Sequence, residues 1–75
     1  MEHEVLKGLI DNFIIFNTPC KIVALSNEKE FVFFAKKILN RDDTHILIIN
    51  KFGKEEAISI KKIIRIEEWR NVNEQ

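Results

Sequence analysis

The sequence predicts a mainly β domain, one N-terminal helix followed by five short strands that form a strongly bent small barrel. Three observations carry this. Apolar residues recur at three- and four-residue steps as far as Phe16 and at roughly alternate positions after it, so the hydrophobic period changes from about 3.6 to 2. The apolar runs that follow are short, rich in β-branched and aromatic residues, and separated by polar turns. A chain of 75 residues has room for one core and no second domain.

Val5, Leu6, Leu9, Ile10, Phe13 and Phe16 define an amphipathic helix over 2–17, with Glu2, Glu4, Lys7, Asp11 and Asn12 mostly on its other side. Asn17-Thr18-Pro19 ends it, because proline forces the preceding residue into extended backbone and has no N–H to donate. Phe13, Ile14, Ile15 and Phe16 cover more of the circumference than one packing stripe needs, which leaves some of them for a partner or a second subunit.

Cys20 to Leu25 is the first strand, and the polar run Ser26 to Glu30 is the loop that reverses the chain. The second strand starts at Phe31, and the lysines in FVFFAKKIL require a bend or bulge near Ala35 to Lys37 if both apolar ends are to face inward. Asn40-Arg41-Asp42-Asp43 makes the next turn. Ile46, Leu47, Ile48 and Ile49 then form a strand covered on both faces, by the barrel interior on one and the helix on the other. Lys51-Phe52-Gly53-Lys54 is a hairpin turn, Glu55 to Ile60 the returning strand, and Ile63 to Ile66 the last strand after Lys61-Lys62. The strands form a meander over 20–66, and 67–75 is a frayed tail, polar apart from Trp69 and Val72.

Twelve basic residues balance twelve acidic ones, so any charged partner must be met by a local patch. One cysteine cannot make an internal disulfide, the N-terminal residues lack the basic region of a secretory signal, and no apolar run approaches the ~20 residues that span a bilayer. The expectation is a cytoplasmic protein that does not enter the membrane.

The chemistry on offer is sparse. His3, Cys20 and His45 occur singly, with none of the spacings that bind zinc, and Gly8 and Gly53 are solitary rather than part of a phosphate loop. Neither a metal nor an organic cofactor is implied. Cys20 and His45 could meet across strands as nucleophile and base, whereas a lone strand cysteine ordinarily serves as a small buried hydrophobe. The acid pairs Asp42-Asp43, Glu55-Glu56 and Glu67-Glu68 point to alternate faces in extended backbone and do not converge as an acid–base pair requires. The reading is a protein that is not an enzyme.

Lys36, Lys37, Arg41, Lys51 and Lys54 fall at strand ends and turns, where a barrel can gather them at one rim. Phe52 stands between two lysines at a hairpin tip, either as a stacking platform for a nucleic-acid base or folded back on the core. The lysines also suit the guarding of sheet edges, and edge strands left open would support a homo-oligomer.

The order helix, linker and five strands with a bent second strand, closing on Ile60, Ile63 and Ile66, resembles the Sm-like fold of LSm proteins and Hfq over Val5 to Glu67. Phe33-Phe34 stands where Sm proteins carry a glycine. In loop lengths the chain is most similar to the Rof proteins, Sm-like inhibitors of the transcription terminator Rho. The matching positions are Leu25, Ala35, Arg41, Leu47, Gly53 and Lys62-Ile63. The Rof resemblance implies a module that binds and inhibits Rho, with helix acids Glu2, Glu4 and Asp11 as its protein contact. The Hfq resemblance implies RNA binding, for which Lys36, Lys37, Arg41, Lys51, Phe52 and Lys54 are the candidates. A third expectation is a structural module that assembles through its strand edges.

Overall fold

The computed structural model describes residues 3–70. It is an antiparallel five-stranded sheet with one N-terminal helix packed against it.

Helix α1 (His3–Phe16) buries Leu6, Ile10 and Phe13, three successive turns of one stripe. It stops because Asn17 adopts a left-handed backbone at φ 52°, which asparagine tolerates better than most residues. The Asn17 N–H donates to the Ile14 carbonyl and the Thr18 N–H to that of Phe13, both at 3.2 Å, satisfying two terminal carbonyls in the Schellman pattern. The stop therefore belongs to Asn17 as much as to the proline.

Strands β1 (Cys20–Ser26) and β2 (Lys29–Arg41) are joined by two residues only. Asn27 and Glu28 both have positive φ, the requirement of a tight hairpin whose twist matches its strands. Ser26, Lys29 and Glu30 thus extend the ladder instead of forming the expected loop. Within the 13-residue β2 the register against β3 (His45–Asn50) shifts between Ala35 and Lys37, where the bend was expected, and again between Ile38 and Asn40. Strand β2 also runs through Arg41, so the next turn begins at Asp42. There the Asp42 carboxylate accepts from the N–H groups of Thr44 and His45, each at 2.8 Å, and from the Thr44 hydroxyl at 3.0 Å. Those bonds hold the Asp42 carboxyl below the usual aspartate range.

Strand β4 (Glu55–Ser59) returns beside β3, and a 3₁₀ turn at Ile60–Lys62 leads into β5 (Ile63–Glu68). The sheet order is β4-β3-β2-β1-β5, so the last strand crosses to pair with β1 and the meander stops at β4. Ile60 opens the turn and Ile63 follows it, both are buried, and the Ile60 N–H donates to the Thr44 carbonyl at 2.8 Å. The crossing is pinned from both sides. Strands β4 and β5 are the two edges, no ladder joins them among the described residues, and the sheet is not closed into a barrel.

The core joins Leu6, Ile10 and Phe13 of α1 to Ile22, Ala35, Ile38, Ile46, Ile48, Ile58 and Ile66 of the sheet. Because the helix packs on this same inner side, Leu47 and Ile49 on the other face of β3 are only half-buried, and the expected two-sided cover is absent. The carboxy-terminal segment also departs from expectation. Glu67 and Glu68 pair with Lys21 and Cys20, and the Trp69 N–H donates to the Pro19 carbonyl at 2.9 Å. Residues 71–75 of the expected tail lie outside the described residues. No described helix is long and apolar enough to cross a membrane.

Candidate nucleic-acid interface

The turn between β3 and β4 is built by Asn50. Its side-chain oxygen accepts the N–H groups of Phe52 at 2.9 Å and Lys54 at 3.0 Å, while its backbone closes the loop with Lys54 and Gly53. Gly53 supplies the positive φ of 85° that the closure requires. With the backbone held this way the Phe52 side chain stands away from the core, 75% exposed. The folded-back alternative does not occur.

Beside it, the Lys51 ammonium lies 5.2 Å from the centroid of the Phe34 ring and 5.3 Å from that of Phe52, within cation–π range of both. Phe34 in turn meets Trp69 at 5.0 Å between centroids, with the rings tilted by 49°. Three aromatic rings and one cation thus form a continuous surface at the end of the sheet, bordered by Val32 and Glu56. Pairing of Ala35 with Asn50 and of Lys37 with Ile49 brackets Lys36 at the bulge, next to this turn, and both lysines are exposed. The exposed Lys54 is on the turn itself.

Arg41 is not part of this group. It pairs with Ile46 at the opposite end of the β2–β3 ladder, where its guanidinium engages Asp11. Asp43 lies 3.9 Å from Arg41 and 3.5 Å from Lys7, so acids and bases alternate along the seam between the helix and the β2–β3 turn. Hydrogen bonding to Arg41 keeps the Asp11 carboxyl below its ordinary range, and the same bond raises the Arg41 pKa. Two residues expected to meet different partners therefore meet each other. Of the remaining helix acids, Glu4 is exposed and Glu2 lies outside the described residues.

Cys20 and His45 do not form a pair. Cys20 is fully buried between Ala35 and Glu68, and burial pushes its thiol up to about 11, whereas His45 is exposed at the start of β3, opposite Ser59. His45 instead lines a cavity of about 430 Å³ with His3, Asp43, Thr44, Ser59, Ile60 and Lys61. Sequence reading missed this cavity because its lining comes from three separated segments, two joined where β4 returns beside the start of β3 and the third at the start of helix α1. It also missed Phe34 and Trp69. A tryptophan within an otherwise polar terminal run was the available signal for the second.

A comparison with protein-family models finds no match to the sequence, and neither does a comparison with curated proteins.

Proposed function

We propose that this domain is a non-catalytic, Sm-like interaction module of RNA metabolism or transcription, and that it holds single-stranded RNA on the Phe52 hairpin. The observation that carries the reading is the exposed Phe52 ring with the Lys51 ammonium set between it and Phe34. An aromatic face presented beside a cation suits a nucleobase followed by its phosphate, and stacking is worth about 1–3 kcal/mol per base. Lys36, Lys37 and Lys54 supply further phosphate contacts near the same end. The form in which helix acids grip Rho, as in Rof proteins, draws less support, since the Asp11 carboxylate is already taken up by Arg41.

The test is fluorescence anisotropy of labelled U-rich and A-rich RNA at low and at physiological salt. Salt-sensitive binding is expected, with Phe52→Ala weakening it by about tenfold or more. Lys51→Ala should also flatten the dependence on salt. RNA binding that is indifferent to both substitutions would overturn the assignment of this surface. If RNA does not bind and purified Rho captures the chain in a Glu4-dependent manner, the Rof-like form replaces it.

A further inference from the structure

Glu56 occupies a position on β4 whose side chain belongs to the inner face of the sheet. It lies directly opposite Ile48 in the β3–β4 ladder, as Ile58 lies opposite Ile46, and residues opposed in an antiparallel pair share a face. Ile46, Ile48 and Ile58 are all buried in the core. The same alternation puts Asn50 on this side, two residues beyond Ile48 and opposite the buried Ala35. An apolar residue at position 56 would extend the core. The carboxylate found there is half-buried, and among the described residues it accepts no hydrogen bond and joins no ion pair.

Glu56 and Asn50 both line a pocket of about 270 Å³ whose walls include the Phe34 and Phe52 rings. The orientation of the Asn50 amide is fixed, because its Oδ1 accepts the N–H groups of Phe52 and Lys54. Its Nδ2 is therefore left as a donor. The pocket thus combines aromatic rings with one group that only accepts and one that only donates. A half-buried acceptor without a donor costs free energy, and a ligand that brings donors to Glu56 recovers it.

We infer that this pocket selects guanine from among the bases that can stack on Phe52, with the Glu56 carboxylate as the specificity-determining group; the inference rests on the RNA-binding reading of this surface. Guanine is the base whose Watson–Crick edge carries two adjacent donors, N1–H and the N2 amino group, spaced to meet the two oxygens of one carboxylate. Its O6 follows on the same edge as an acceptor for Asn50 Nδ2. The other bases fit worse. Uracil flanks its single N–H with two carbonyls, while adenine and cytosine place a ring-nitrogen lone pair beside the amino group. Each of the three therefore sets an acceptor against the carboxylate. The Lys51 ammonium, held between Phe34 and Phe52, remains free to meet the adjoining phosphate.

The experiment is fluorescence anisotropy of the full chain with a short labelled oligouridylate and with the same strand carrying one central guanosine, adenosine or inosine. The guanosine strand should bind about tenfold or more tighter than the uridine and adenosine strands. Inosine lacks the N2 amino group and should forfeit most of that gain, which probes the contact without altering the protein. Glu56→Gln should abolish the guanosine gain while leaving oligouridylate binding unchanged or tighter, since the variant removes a negative charge facing a polyanion. A carboxylate with a merely structural or electrostatic role would shift every strand together. Phe52→Ala should weaken all four strands and so reports on the underlying RNA reading. Phe52-dependent binding with no preference for guanosine, or with a preference that survives Glu56→Gln, overturns this inference and leaves that reading standing. Binding that ignores Phe52 overturns both.

Discussion

Arg41 at the end of β2 donates from Nε to Asp11 Oδ1 at 2.7 Å and from Nη2 to Asp11 Oδ2 at 2.9 Å, a two-point clasp that ties helix α1 to the sheet. Such planar pairs hold geometry better than single-point contacts between lysine and a carboxylate. The clasp adds a polar tie to the apolar packing of Leu6, Ile10 and Phe13 against the sheet.

Its dependence on pH follows from the lowered Asp11 pKa. A carboxyl with a folded pKa below its unfolded value of about 3.9 stabilises the fold above that pH and loses the contribution as pH falls through the folded value. Asp11→Asn should lower the melting temperature at pH 7, and the gap to wild type should begin to narrow below about pH 4 and go on narrowing as pH falls through the folded value. Arg41→Ala combined with Asp11→Asn should cost less than the sum of the single changes, since both remove one contact. A gap that stays constant between pH 7 and pH 3 would falsify the role given to this pair.

Cys20 should behave as a core residue. With its thiol pushed up to about 11 by burial, the folded protein should react with a thiol reagent at pH 8 far more slowly than the chain in denaturant. The unfolded thiol loses its proton first, so this residue also makes stability fall as pH rises above about 8.5. Equal labelling rates in the two states would show that the site is open.

The two glycines should respond in opposite directions. Gly8→Ala relieves a helix of its poorest interior residue without a clash and should raise stability by about 0.5–1 kcal/mol. Gly53→Ala places a Cβ on backbone at φ 85° and should lower stability by about 1 kcal/mol or more. Urea unfolding of the two variants side by side checks both signs.

Ile48 is fully buried on the inner side of β3, and Ile48→Ala should cost about 2–5 kcal/mol through lost transfer energy and the cavity left behind. Ile15→Ala, on the exposed helix face, should stay within about 0.5 kcal/mol. A large loss at Ile15 in dilute solution would mean that this face packs within the chain.

What the sequence determined is the set of elements and their inner faces. The helix, all five strands and the bend near Ala35 follow from hydrophobic period and from the two lysines that break it, because burial of one face acts on every second or every third and fourth residue in a row. Phe52 at a hairpin tip between lysines was legible for the same local reason, although whether it pointed outward was not. The tertiary structure decided the rest. Strand β5 pairs with β1 because Ile60 and Ile63 anchor a short turn in the core, and that crossing leaves β4 and β5 as open edges and brings Trp69 to Phe34. The bond between Asp11 and Arg41 spans 30 residues. No periodicity carries such a contact, since a long-range pair is set by the path of the chain and leaves no mark on the neighbours of either residue.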